Sequence, residues 1–238
     1  MGRMGRDTRM KRQVAPAFWE IPRKEKRFVP KVSPGPHLVE TSYPLGIVLR
    51  DLLQVVNIMK EAKYVVTTGE IKIDGIVRKD VNFPVGLMDV IEITSTDKTY
   101  RMVPKDGVIV KPIEIPKEEK NLKLCKVIRK LTTKNKKLQY GFHDGRTLVD
   151  DQKMNVNDTC LITLPEQKIT NTVKLEKGST ALIISGENAG TVGKIGEVRE
   201  GTFILPKRVV LTLENRKVEL PVDMIMVVGI DKPLITIR

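Results

Sequence analysis

Hydrophobic and polar positions change their spacing along the chain, and the changes divide it into four segments. In residues 1–40 the apolar residues follow no sustained period, and five prolines exclude a long helix and favour extended backbone. This segment predicts an extended N-terminal arm. We expect the arm to be mobile in the free protein, because so few apolar residues cannot offset the entropy of ordering it.

Residues 41–104 combine a helical period with a strand period. Apolar residues recur at helical spacing between positions 45 and 53, and a second helix is expected from about 59 to 68. The period then becomes two, and the Asp74-Gly75 pair is a strong hairpin signal. The segment therefore predicts two helices followed by a small sheet.

The last two segments are typical of all-β structure. In residues 105–172 short apolar runs alternate with turn signals such as Asp144-Gly145, which suits a small antiparallel barrel or sandwich. Residues 173–238 continue in the same style, with strands expected near 181–184, 191–195, 203–205, 208–213, 216–220 and 224–228. The whole chain predicts a multi-domain, mainly β fold, in which an arm and a small α+β module precede antiparallel β barrels.

The net charge of the chain indicates which class of molecule it binds. The chain has 42 Lys and Arg against 29 Asp and Glu, a net charge of +13, which indicates nucleic acid first and an anionic membrane surface second. Its apolar runs are too short for a membrane span. The two cysteines are too few for a disulfide scaffold and suggest a reducing cytosol. We expect a cytoplasmic protein that binds nucleic acid and not a membrane.

Basic side chains concentrate in the arm, on the predicted helices and hairpin, and between residues 120 and 137. Lys and Arg neutralise phosphates, so these side chains are candidate RNA contacts. Trp19, the only tryptophan, is a further candidate that either stacks on a base or pins the arm to its own globular body, and the sequence leaves both open. The basic candidates are Arg3, Arg6, Arg9, Lys11, Arg12, Arg50, Lys60, Lys63, Lys72, Arg78, Lys79, Lys126, Arg129, Lys130, Lys134, Lys136 and Lys137, with Arg146 and Lys194 in two motifs named below.

Catalytic chemistry has little support in the sequence. His143 and Asp144 share a predicted turn and could orient a base, but they have no nucleophile motif near them. The two cysteines and two histidines lack metal-ligand spacing. We expect no catalytic residue, no metal site, no cofactor and no small-molecule substrate.

Two stretches resemble known RNA-associated modules. Residues 71–78, closed by residues 88–91, resemble the S-four RNA-binding module, a small platform that presents basic side chains on one face. Residues 183–195, which include Lys194, resemble a KOW motif, in which a glycine-rich loop joins two strands of a five-stranded barrel. Taken alone, the second stretch also fits an ordinary glycine-bearing hairpin.

In order and spacing, short matches along nearly the whole chain resemble the archaeal and eukaryotic e-type S-four family of the small ribosomal subunit. The resemblance implies a structural protein that binds small-subunit ribosomal RNA and neighbouring ribosomal proteins. It also implies an arm over 1–40, an S-four-like module over 41–104, a central β domain over 105–172 and a KOW barrel over 173–238. The end at Arg238 favours an archaeal-type member. The matches are Lys11–Pro16, Trp19, Ser33–His37, Ile71–Gly75, Lys123–Val127, His143–Thr147, Val156–Thr159 and the glycine-rich loop.

Two other functions are compatible with these modules. One is a transcription or translation factor that uses a KOW barrel to hold its partner transiently. The other is an RNA-modifying enzyme that uses an S-four module to hold its substrate, although residues 105–238 predict small β barrels rather than a catalytic domain.

Overall fold

The computed structural model of the chain describes residues 9–134, 137–213 and 216–237. Within them, strands form three antiparallel five-stranded sheets and two short two-stranded ladders. This confirms the predicted mainly β class, with an α+β unit at its start. Among the described residues, none of the helices has the length and hydrophobicity of a membrane-spanning segment.

The described part of the arm is folded onto the helices that follow it. Strands β1 (Arg9–Lys11) and β2 (Phe28–Pro30) pair as an antiparallel ladder. The expectation of a mobile arm is therefore wrong for residues 9–40. Scattered apolar residues escape a periodicity search, yet these ones enter the same core as the helices: Ala15, Trp19, Ile21, Val29 and Val32.

Both predicted helices form. Helix α1 (Leu45–Ile47) continues as a π-helical turn over Val48–Leu52. Helix α2 (Met59–Thr68) has the predicted bounds. The Glu61 carboxylate accepts a hydrogen bond from the Ile58 backbone N–H at 3.3 Å, which satisfies a free donor at the start of α2. Gly69 ends the helix with a φ of 87°, a conformation that favours glycine.

The first sheet follows the helices and has the strand order β5-β4-β7-β8-β9, beside a separate β3-β6 ladder. β8 lies outside the sequence prediction, and β9 belongs to this sheet rather than to the central domain, since Arg101 lies opposite Ile113. The predicted boundary after residue 104 therefore falls inside a hairpin. The strands are β3 (Tyr43–Pro44), β4 (Ile71–Ile73), β5 (Ile76–Val77), β6 (Pro84–Val85), β7 (Val90–Ile93), β8 (Lys98–Lys105) and β9 (Val108–Glu114).

The second sheet is organised around β10, its longest strand, in the order β12-β11-β10-β13-β14. The first half of β10 pairs with β13, and after a bulge between Val127 and Arg129 the second half pairs with β11. Residues 128–132 are exposed, so the β10–β11 ribbon extends past its core. The strands are β10 (Leu122–Thr132), β11 (Leu138–Phe142), β12 (Thr147–Val149), β13 (Thr159–Thr163) and β14 (Lys168–Val173).

The third sheet has the order β18-β17-β16-β15-β19. The strand predicted at 203–205 is wrong. These residues form the tip of the loop between β16 and β17, because Gly201 and Pro206 bound the apolar run and a turn closes it. Five antiparallel strands agree with the count in a KOW barrel, and the KOW assignment itself stays a prediction. The strands are β15 (Thr180–Ile183), β16 (Val192–Arg199), β17 (Arg208–Thr212), β18 (Lys217–Pro221) and β19 (Ile225–Gly229).

Shared packing joins the three sheets. One apolar cluster takes residues from all of them and from the segment after β19: Met88, Val103, Leu124, Leu161, Leu182, Met226, Ile235 and Ile237. Next to it the fully buried Arg101 guanidinium donates to Glu119 Oε2 at 2.7 Å and to the Thr236 carbonyl at 3.0 Å. The end of the described chain is thereby fixed to the first sheet.

Candidate nucleic-acid interface

One aromatic and one basic candidate of the arm, Trp19 and Arg12, are buried in the interior. Trp19 is 2% exposed; its indole N–H donates to the Ser42 carbonyl at 3.0 Å and its ring stacks on Tyr43. Arg12 is also buried, and its guanidinium donates to the Ile21 carbonyl at 2.6 Å. Of the two alternatives for Trp19, the structure supports pinning of the arm. The prediction that Trp19 and Arg12 contact RNA is therefore corrected, since neither side chain is exposed to solvent.

Lys126 and Arg50 are corrected for the same reason. The Lys126 ammonium is buried against the third sheet and donates to the Val222 carbonyl at 2.7 Å and the Ile225 carbonyl at 2.9 Å. Burial lowers the pKa of Lys126 to about 8. Arg50 is buried and forms an ion pair with Asp51 at 2.7 Å. These cations stabilise contacts within the chain.

Two exposed candidates near the helices line one groove, which we call the arm–helix groove. It lies between β2, α2 and the loop at residues 79–82, and Lys63 and Lys79 line it with Lys26 of the arm. Lys60 is exposed one turn before Lys63 on α2. Lys60, Lys63 and Lys79 have no ion-pair partner among the described residues, so their charge is free for an anion.

The groove also contains residues that the sequence reasoning missed. Phe28, 48% exposed, lines it. Tyr64, 69% exposed, lies outside the groove lining, on α2 one turn after Lys60. Exposed aromatic rings next to lysines suit base stacking. The signal for Lys26 and Phe28 is the basic run at residues 23–27, and the signal for Tyr64 is its position four residues after Lys60 on a helix.

A second group of cations lies on the β10–β11 ribbon. Arg129, Lys130, Lys134 and Lys137 are exposed and have no acidic partner in the part of the chain that the structure describes. The Lys130 ammonium donates to the Met154 carbonyl at 2.9 Å. A ribbon that extends past its core and carries unpaired cations can follow a phosphate backbone.

Arg78 and Arg146 line a cleft between the first and second sheets, together with Gly35 and Pro36 of the arm. Arg78 lies over the Phe83 ring at 4.5 Å from its centroid. Arg146 pairs with Asp74 at 2.5 Å and with Asp144 at 3.0 Å, so part of its charge is already neutralised.

The floor of this cleft is a buried charge cluster, defined by Lys123 and the carboxylates of Asp74, Asp89 and Asp144. The Lys123 ammonium lies 2.7 Å from Asp74, 2.6 Å from Asp89 and 3.1 Å from Asp144. His37 of the arm adds a contact at 3.0 Å to Asp89. The cluster therefore joins the arm, the first sheet and the second sheet.

The electrostatics of the cluster keep Lys123 charged. Burial disfavours its ammonium, but the three carboxylates outweigh burial and raise the pKa of Lys123 well above its ordinary value. Burial also opposes ionisation of Asp144, whereas Lys123 lowers the pKa of that carboxyl to about 2. Burial raises the pKa of Asp74. The cluster acts as an internal ion network, which a ligand would have to break.

Cys125, His143 and Asp144 bring potential metal ligands within 4.8 Å of one another. The surroundings oppose a cation. His143 Nδ1 accepts from the Lys126 backbone N–H at 3.2 Å, and Nε2 lies 3.2 Å from the Leu87 carbonyl. The Lys123 ammonium already holds Asp144, and burial raises the pKa of the Cys125 thiol. This donor set suits structural hydrogen bonds better than a metal.

The remaining candidates are dispersed. Lys11 is exposed, Lys72 is half-buried, and Lys194 is exposed and lies 3.5 Å from Asp231. Arg3, Arg6 and Lys136 lie outside the described residues, as does the side chain of Arg9.

The glycine-rich loop contacts the first sheet. The Gly107 N–H, in the β8–β9 turn, donates to the Ala189 carbonyl at 3.0 Å. Gly190 has a φ of 91°, and a Cβ there would lie 2.7 Å from the Lys105 Cα. A glycine is required because the two backbones approach so closely.

Three β sheets that share an apolar cluster, with a buried ion network between the first two and unpaired cations on several faces, are typical of structural proteins in ribonucleoprotein particles. Two family models match the chain: "Ribosomal family S4e" over residues 96–169 and "RS4NT (NUC023) domain" over residues 4–40. The chain belongs to the S4e family of small ribosomal subunit proteins.

Similar proteins span the whole chain. The small ribosomal subunit protein eS4 of Desulfurococcus amylolyticus is 41% identical, covering 99% of this chain and 97% of that protein. The small ribosomal subunit protein eS4 of Aeropyrum pernix is 39% identical, covering 100% of this chain and 98% of that protein. The crystal structure of the 30S ribosomal protein S4e from Thermoplasma acidophilum, 29% identical, superposes with a TM-score of 0.66 over 79% of this chain and 94% of that chain.

Membership confirms three predictions from the sequence. The chain belongs to the family that the e-type S-four resemblance predicts, and its role is that of a structural ribosomal protein. The chain is not an enzyme, because the family is one of ribosomal structural proteins. Its place is in the ribosome, in the cytoplasm.

Proposed function

We propose that the chain binds and stabilises small-subunit ribosomal RNA through the arm–helix groove and the β10–β11 ribbon. The observation that supports this most is the groove, where unpaired lysines from the helix and the loop stand beside the exposed Phe28 ring. Tyr64 adds a second exposed ring on α2, next to Lys63 in the sequence. Lysines attract the phosphates, and the rings stack on unpaired bases. Val29 of β2 and Ala62 of α2 belong to one apolar core, and Val81 packs against it, so the walls of the groove are already in place before RNA binds.

Binding of purified small-subunit ribosomal RNA at several salt concentrations tests this proposal. The K63A/K79A variant removes two proposed phosphate contacts. We expect the slope of log affinity against log salt to fall in magnitude by roughly 1.5, because each lost phosphate contact accounts for about 0.7 to 0.9. The control K177A/K217A removes two exposed lysines, one in the turn before β15 and one in β18, and has the same net charge as K63A/K79A.

The control is expected to keep the wild-type slope. Equal slopes for all three proteins would exclude the groove from the interface, and an equal loss in both variants would mean that only net charge matters. Sedimentation through a sucrose gradient after a high-salt wash separates a permanent component from a transient factor. We expect the chain to remain on the small subunit.

A further inference from the structure

The loop between β16 and β17 ends in three consecutive apolar residues that face solvent, and we call Phe203, Ile204 and Leu205 the apolar tip. Phe203 is 105% exposed, Ile204 87% and Leu205 46%. A hairpin end is ordinarily polar, because an exposed apolar side chain there gains nothing from folding. Neither the family role nor the proposed RNA interface accounts for it.

The tip has a fixed conformation. The Thr202 N–H donates to the Leu205 carbonyl at 2.8 Å, and the Leu205 N–H donates to the Thr202 hydroxyl at 3.2 Å. Gly201 packs closely across the loop, since a Cβ there would lie 3.0 Å from the Lys207 nitrogen. The hydrogen bonds hold Phe203 and Ile204 outward, so a partner would not have to order the loop when it binds.

The surroundings of the tip distinguish protein from RNA as its partner. Each cation that flanks it already has a carboxylate: Arg199 pairs with Glu219 at 3.0 Å, Lys207 with Glu200 at 2.7 Å and Arg208 with Glu219 at 3.5 Å. An RNA backbone would find no free positive charge here, unlike at the arm–helix groove. An apolar end with a neutralised rim has the composition of a protein-binding surface.

We propose that the apolar tip anchors the chain to a neighbouring protein of the small subunit, by inserting Phe203 and Ile204 into an apolar pocket of that protein. The proposal rests on the proposed function only in that both place the chain in the assembled subunit. Apolar side chains that are buried in a partner's pocket contribute much of the affinity of such interfaces.

Photocrosslinking in assembled subunits tests this. Full chains carrying p-benzoyl-phenylalanine in place of Phe203, or in place of Tyr64, are incorporated into small subunits, which are purified on a gradient and irradiated. We expect the probe at position 203 to crosslink to a subunit protein and the probe at position 64 to crosslink to ribosomal RNA. At position 203, a crosslink to RNA or none at all overturns the inference. If the probe at position 64 does not crosslink to ribosomal RNA, that result counts against the proposed function and not against this inference.

Retention of the F203S/I204S variant on the subunit gives a second measurement. Both side chains contact solvent, so the variant is expected to unfold at the wild-type temperature. We expect its retention to fall about fivefold at both low and high salt, because salt screens charges and not apolar contacts. Wild-type retention would overturn the inference. If a chain with the probe fails to enter subunits, this measurement decides alone.

Discussion

The ammonium of Lys123 lies 2.7 Å from Asp74 Oδ2, and the two residues belong to different sheets. Asp74 follows β4 directly in the Asp74-Gly75 turn, and Lys123 lies near the start of β10. The Asp74 carboxylate also accepts from the Val90 N–H at 3.0 Å, so it fixes the neighbouring strand as well. One buried ion pair therefore couples the turn of the first sheet to the central strand of the second.

Replacement of Lys123 by Met is expected to destabilise the protein by about 3 to 5 kcal/mol, because it removes the buried cation that three carboxylates share and leaves Asp74 and Asp144 with Arg146 alone. Lys120→Met is the matched control: the Lys120 side chain is 44% exposed and pairs with Glu92 at 3.8 Å, so the change there should be about 0.5 kcal/mol or less. Urea unfolding measures both. Similar stabilities for the two variants would mean that the cluster does not hold the sheets together.

Trp19→Ala should lower the free energy of unfolding by about 3 to 5 kcal/mol, the range for removing a buried tryptophan. Phe28→Ala, in the same arm but half exposed, should change it by about 1 kcal/mol or less and weaken RNA binding instead.

Deletion of residues 1–30 should remove cooperative unfolding of the first sheet. A truncated chain that unfolds as cooperatively as the full chain would restore the independent arm that the sequence predicts.

Lys126 and Lys134 belong to the same basic stretch but are expected to give opposite phenotypes. Lys126→Ala removes the buried charged donor to the Val222 and Ile225 carbonyls, and Val222 keeps only the Ile225 N–H. The variant should be destabilised by about 2 kcal/mol, while the salt dependence of RNA binding stays unchanged. Lys134→Ala should reduce that salt dependence and leave stability unchanged. Unfolding and RNA titration on both variants check this, and equal effects on RNA binding would contradict the burial argument.

Stability is expected to fall between pH 6.5 and 4. Burial lowers the pKa of His143 from 6.5 to about 4 in the folded chain, so in this window the unfolded chain takes up a proton that the folded chain does not. The loss is up to about 3 kcal/mol, from 1.36 kcal/mol for each pH unit. His143→Gln should flatten the dependence, measured as urea midpoints across this range. An unchanged dependence in that variant would assign it to other groups.

The sequence alone allowed prediction of α2 with correct bounds, because a local signal defines it: a helical period that ends at Gly69. It could not predict the buried charge cluster. Lys123 and Asp74 are 49 residues apart, and a lysine in a basic run is ordinarily solvated. Residues 123–127 are buried without alternation because β10 lies between the sheets, and nothing local to the strand records those neighbours.

Gly186 and Gly190 in the glycine-rich loop provide a matched pair for the contact between the first and third sheets. Both have positive φ, 88° and 91°. A Cβ at Gly186 would have no atom within 4 Å, so Gly186→Ala should cost only the backbone strain of about 1 to 2 kcal/mol.

Gly190→Ala carries the same strain and a collision in addition. Its Cβ would lie 2.7 Å from the Lys105 Cα and 2.8 Å from the Pro104 carbonyl oxygen, and backbone atoms in a paired strand cannot move aside as a flexible side chain can. The loop must then separate from the β8–β9 turn, which breaks the Gly107–Ala189 hydrogen bond. We expect a total loss of about 3 kcal/mol or more. Amide exchange at Gly107 should accelerate in Gly190→Ala and not in Gly186→Ala; equal protection in both variants would show that the close approach does not join the two sheets.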